Sequence, residues 1–130
     1  MLELRVVVGA KQLARLREEI AAECRRVGAL DDHVERVCAL AGELICSDPP
    51  VTPSRFGRRN GAVLVIVTVQ SDSTMLLIRD PRAARDVLGD RRRAALDGLT
   101  SRWSTMSGSD GRTIWAEVPR AAVAQLAFAR

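Results

Sequence analysis

The stretch AVLVIVTVQSDSTMLLIR, residues 62–79, decides the fold. Two apolar runs rich in β-branched residues, 62–70 and 74–79, flank the short polar turn Ser71-Asp72-Ser73. A link this short joins antiparallel neighbours, because parallel strands need a crossover of about a dozen residues or more. Both arms are almost continuously apolar, which places the pair centrally in a sheet covered on at least one face. Asp80-Pro81 ends the second arm, since proline has no N–H to give to a ladder. The longest apolar stretch, Ala62–Val69, falls far short of the ~20 residues that cross a bilayer, so a membrane partner is not expected.

Toward the N-terminus, Val51–Gly61 is expected to form an exposed loop. Before it, Val34, Val37, Cys38, Ala41, Leu44 and Ile45 recur at helical spacing. That helix starts at Asp31 or Asp32, with Glu35 completing a capping-box pattern, and Asp48-Pro49-Pro50 stops it. An earlier helix, Lys11–Val27, carries the stripe Leu13, Leu16, Ile20, Cys24 and Val27, and Gly28 closes it. Glu3–Val8 alternates charged and apolar residues and is an opening strand.

Toward the C-terminus, the charged segment Arg82–Arg93 leads into a helix whose face is expected to hold Ala94, Leu96, Leu99 and Trp103. Ser104–Ser107 forms a short strand. Thr113–Val118 forms the last one, entered through Ser109-Asp110-Gly111 and closed by Pro119. Arg120–Arg130 is an alanine-rich helix, short enough to be marginal alone. The resulting order predicts an α+β protein, a two-layer sandwich with helices on one face of a mixed, mostly antiparallel sheet. Residues 1–119 form a single domain, and 120–130 a C-terminal helix.

The composition suits such a domain: 130 residues, 47% hydrophobic and with no long polar tract. The net charge of +4 permits an anionic partner, but Lys11 is the one lysine among 20 basic residues and the rest are arginine. Such a bias marks coding preference more than phosphate contacts. With no DNA- or RNA-binding motif and only two Trp and two Phe for stacking, nucleic acid is not the expected partner. Cys24, Cys38 and Cys46 show no CxxC spacing, and His33 is the one histidine, which excludes the usual zinc sets. Unpaired cysteines on apolar faces, behind an N-terminus that does not resemble a signal peptide, suggest the cytoplasm.

Three strings resemble the ATP-binding domain shared by sensor histidine kinases and DNA gyrase (the GHKL superfamily), in the branch of the anti-sigma-factor serine kinases. They are VCALAGELICS at 37–47, MLLIRDP at 75–81, and GLTSRW at 98–103 with GRTIWAEVP at 111–119. The last is the most specific, since Trp103, Gly111, Arg112, Thr113, Trp115, Glu117 and Pro119 all fall in place. The resemblance runs over roughly Val6–Pro119 and implies the histidine-kinase-like (Bergerat) sandwich.

The resemblance also implies a site. Glu43 takes the place of the glutamate that activates the reacting group. Ser47 stands where an asparagine binds the Mg²⁺ bridging the phosphates, a shorter ligand and a compromised one. Asp80 matches the aspartate that accepts from the adenine amino group, although it also suits a turn. Pro81 and Arg82 then occupy positions that call for small residues, which fills the space of the base. The lid glycines fall at Asp90 and Arg92, leaving Arg82 and Arg92 to attract phosphate without a wrapping loop.

Scaffold kept and motifs lost lead to the expectation of a binding regulator: an anti-sigma-factor-like protein with weak or absent ATP binding. Its partner would be a sigma factor, a STAS-type antagonist or a kinase subunit, with a homodimer possible, as the family's members commonly dimerise. No cofactor is expected, or Mg·ATP if the site is competent. The alternative is an active ATP-binding serine/threonine kinase with a divergent site, in which Glu43 is the base.

Overall fold

The hairpin read from residues 62–79 forms the middle of the structure, a computed structural model that describes residues 1–7, 9–45, 62–81, 88–108 and 111–120. In chain order the described elements are β1 (Leu2–Val7), α1 (Ala10–Arg26), α2 (Asp31–Ile45), β2 (Ala62–Val69), β3 (Ser73–Asp80), α3 (Asp90–Leu99), β4 (Arg102–Gly108) and β5 (Gly111–Pro119). The five strands make one sheet in the order β1-β2-β3-β5-β4. Every pairing is antiparallel, so the mixed sheet expected from the sequence gives way to an antiparallel one.

Strand alternation decides which face meets the helices. Val6, Val63, Val65, Val67, Leu76, Ile78, Ile114, Ala116 and Val118 point to one side and are buried. Against them pack Leu16, Ile20 and Cys24 of α1 with Val34, Val37, Leu40, Ala41, Leu44 and Ile45 of α2, giving one core between two layers. The result is an open two-layer α+β sandwich.

The junction of α1 and α2 is a Schellman closure. Gly28 sits at φ 85, Gly28 N–H donates to Arg25 O and Ala29 N–H to Cys24 O, which stops α1 where the sequence placed the stop. The helix α3 differs from its expected form. It ends at Leu99, and Trp103 belongs to β4, where it faces Ala116 across the ladder. Ala94 is exposed, and Leu96 shares the buried side with Arg92. β4 is also longer than the expected Ser104–Ser107, because a nearly apolar-free edge strand shows little pattern to read.

Of the expected site, Ser47 and Arg82 lie outside the described residues. So do the loop at 51–61 and all of the terminal helix except Arg120.

Candidate functional site

The course of α2 carries Glu43 to the end of the sandwich where α3 begins. Near its start, buried His33 bonds Thr74 at the beginning of β3 and the Pro119 carbonyl at the end of β5. From there α2 runs on beside β3. The ten residue steps from His33 to Glu43 rise about 15 Å, and the six steps from Thr74 to Asp80 span about 20 Å. Glu43 therefore lies toward the same end of the sheet as Asp80, beside the start of α3.

At that end Glu43 is already engaged. Nε and Nη2 of Arg91 both donate to its Oε1, at 3.2 and 2.9 Å. Nε of Arg92 donates to the Glu43 backbone carbonyl at 3.2 Å. Arg92 is 7% exposed, so its long stem is packed between α2 and α3 while its head satisfies a helix-end carbonyl. Arg17 of α1 covers α2 one residue earlier: a Cβ at Gly42 would lie 2.9 Å from its Nη2. Three guanidinium groups, from two other helices, thus surround the last turn of α2. They complement the negative end of its dipole and offset the unfavourable placement of Glu43 there.

Asp80 and Arg112 form the floor of the same end. They are partners in the β3–β5 ladder, on the helix-facing side, 3% and 1% exposed. Opposite charges so placed have Cβ atoms about 5 Å apart. Gly111 allows the approach: at φ 116 it lies so close to the end of β3 that a Cβ would come within 2.3 Å of Asp80 O and 2.6 Å of Pro81 Cα.

The lid positions have a definite conformation. Asp90 and Arg92 stand in the first turn of α3, and Arg93 N–H closes the first helical bond on Gly89 O at 3.0 Å. The backbone where glycines would wrap a phosphate is therefore helix.

The Glu43 carboxylate, the expected base, has a guanidinium 2.9 Å away, and Ser47, the expected Mg²⁺ position, lies outside the described residues. Among the described residues no group of three or more His, Cys, Asp and Glu is placed to hold a metal.

The other polar centre, at the opposite end, was not legible as such. The Pro119 carbonyl can only accept, so His33 Nδ1 carries the proton and donates to it at 3.2 Å. Nε2 of the neutral ring then accepts from the Thr74 hydroxyl at 2.7 Å. Burial, opposed by the Pro119 bond and aided by Arg36 and Arg120, holds the His33 pKa below its usual value. Burial likewise pushes the Cys24 thiol up to about 11. Arg36 donates to both Pro119 O and Arg120 O, and Arg120 reaches back to Val27 O, so the exit of β5 is tied to the α1–α2 junction. A single histidine near a helix start gives no sequence signal for such a tie.

No protein-family model matches the chain, and no curated protein matches its sequence. The described helices contain no segment long and apolar enough to cross a membrane.

Proposed function

We propose that this chain is a cytoplasmic regulator that acts by binding another protein, on a scaffold of the anti-sigma-factor ATPase type that has given up its nucleotide. The observation that carries this reading is the closure of the Glu43 end by α3. Arg91 holds the carboxylate, Arg92 holds the carbonyl of the same residue, and the lid positions are wound into a helix. A kinase site needs the reverse: a free carboxylate, a metal and a loop able to fold over phosphates. The partner expected from the resemblance is a sigma factor, a STAS-type antagonist or a kinase subunit.

Isothermal calorimetry with Mg·ATP and Mg·ADP, paired with a melting-temperature shift, tests this. No heat and no shift at millimolar nucleotide are expected. Micromolar binding would overturn the reading and put the serine/threonine kinase in its place, with loss of phosphate transfer in Glu43→Ala as its own test.

A further inference from the structure

The sheet is open, so its outer strands β1 and β4 each leave one side of the backbone without a strand partner. Such edges are ordinarily blunted by charged side chains, proline or a bulge. β1 carries Glu3 and Arg5 in mid-strand. Between Arg102 and Gly108, β4 carries none of these devices. Its register with β5 is unbroken, and Trp103-Ser104-Thr105-Met106-Ser107 contains neither charge nor proline. The strand is exposed over most of its length, Met106 to 75%.

The register also fixes which backbone groups point outward. Gly108 and Gly111 are three apart in the chain and close the hairpin, so they are a hydrogen-bonded pair. Bonded and non-bonded pairs alternate along an antiparallel ladder. Met106, Ser104 and Arg102 therefore bond β5, whereas Trp103, Thr105 and Ser107 turn their N–H and C=O groups away from it. Three donors and three acceptors thus line the outer edge at strand spacing, with no partner among the described residues. One end of this row is held in place, since the Trp103 indole N–H donates to Asp97 at 3.0 Å and Arg93 lies over the ring.

We propose that the outer edge of β4 receives an extended segment of a partner protein, which adds to the sheet as a further strand. A row of alternating N–H and C=O groups at strand spacing is matched by another extended backbone and by no compact ligand, so the edge itself selects its occupant. Side chains of the added strand alternate between the two faces. Those on the face away from the helices continue the rows Leu77–Trp115–Ser104 and Thr113–Met106, which favours apolar residues at every second position. The proposal rests on the reading of this chain as a protein-binding regulator, and it assigns that binding to a sheet edge.

Random peptides of about twelve residues, displayed on phage and selected against the full chain, supply the probe. Amide hydrogen exchange of the chain is then followed with a selected peptide bound. The expected peptides alternate apolar residues and slow exchange at Trp103, Thr105 and Ser107 at least tenfold. Thr105→Pro should abolish their binding, because it removes an outward N–H and no bond to β5, and circular dichroism should show the fold intact. Should Thr105→Pro not fold, the exchange pattern of the unaltered chain decides alone. Peptides that protect other amides would overturn the edge assignment while leaving a protein-binding regulator in place. Selection of no peptide, or binding indifferent to a folded Thr105→Pro, would overturn the proposal as well. So would protection of the same three amides by rising concentration of the chain alone, which would assign the edge to a second copy. Nucleotide calorimetry decides the regulator reading separately.

Discussion

Arg91 sets two donors on one carboxylate oxygen of Glu43, while its neighbour Arg92 turns inward and takes the backbone carbonyl of the same residue. Adjacent arginines on α3 therefore grip one residue of α2 in two physical regimes. The Arg91 side chain is 76% exposed, so its pair is screened by water and salt and contributes below about 1 kcal/mol. Arg92 is buried, and its truncation removes packing as well as the partner of a helix-end carbonyl. Arg91→Ala is expected to lower unfolding stability by less than about 1 kcal/mol, and Arg92→Ala by about 1–3 kcal/mol, in urea titrations. Equal losses would mean that the α2–α3 junction is held by surface charge instead of packing.

Glycine requirements separate in the same way. Gly28 and Gly111 both have positive φ, but a Cβ at Gly28 would meet nothing within 4 Å, whereas at Gly111 it would strike the backbone of Asp80 and Pro81. Gly28→Ala should cost about 1 kcal/mol, the conformational term alone. Gly111→Ala should cost more than about 3 kcal/mol, because two strands must separate beside the buried Asp80 and Arg112. Thermal melts of the two variants measure the difference, and similar midpoints would show that the β3–β5 end yields easily.

The sequence made the sheet's centre and both long helices legible for a simple reason: their apolar periodicities are driven by burial. Of the expected stripes, Leu16, Ile20, Cys24 and Val34, Val37, Ala41, Leu44, Ile45 are buried, Leu13 and Cys38 are partly buried, and Val27 is exposed because α1 ends before it. The misplaced elements are those where burial does not write the pattern. β4 is exposed almost throughout, and Trp103 mimics a helix position because it packs toward α3 from a strand, its indole N–H on Asp97. Of the candidate site, Glu43 and Asp80 came only from the family resemblance, whereas the grip of Arg91 and Arg92 on Glu43 arises from the packing of α3 beside α2. Arginines in a charged run carry no mark of which one turns inward.

The thiols supply a separate test of the core. Cys24 is fully buried between the helices and the sheet, and burial lifts its pKa to about 11. At pH 8 it is almost entirely thiol, and it has no access to solvent. Native protein treated with a thiol-reactive disulfide reagent is expected to leave Cys24 unmodified for as long as the fold persists, with modification appearing only in denaturant. Peptide mass spectrometry reads this directly. Rapid native labelling of Cys24 would mean that α1 opens from the sheet far more often than its packing indicates.

The tie between α2 and the strand ends predicts a pH dependence of definite sign. In the unfolded chain His33 titrates near 6.5, and in the fold its pKa is lower, because burial penalises the imidazolium and Arg36 and Arg120 lie close by. Above 6.5 the ring is neutral in both states, and the Pro119 and Thr74 hydrogen bonds hold at full strength. As the pH falls below 6.5 the unfolded chain takes up a proton that the folded chain refuses, so stability declines by up to about 1.4 kcal/mol per pH unit until the folded pKa is reached. No acidic side chain contacts the ring to oppose this among the described residues; Cys24, near Thr74, stays neutral. The urea midpoint is expected to fall between pH 7 and pH 5.5, before most carboxylates titrate. His33→Gln, which keeps a donor and an acceptor but has no proton to gain, should be less stable at pH 7 and should lose that slope. A variant with an unchanged slope would assign the acid sensitivity to other groups and leave His33 a purely structural link.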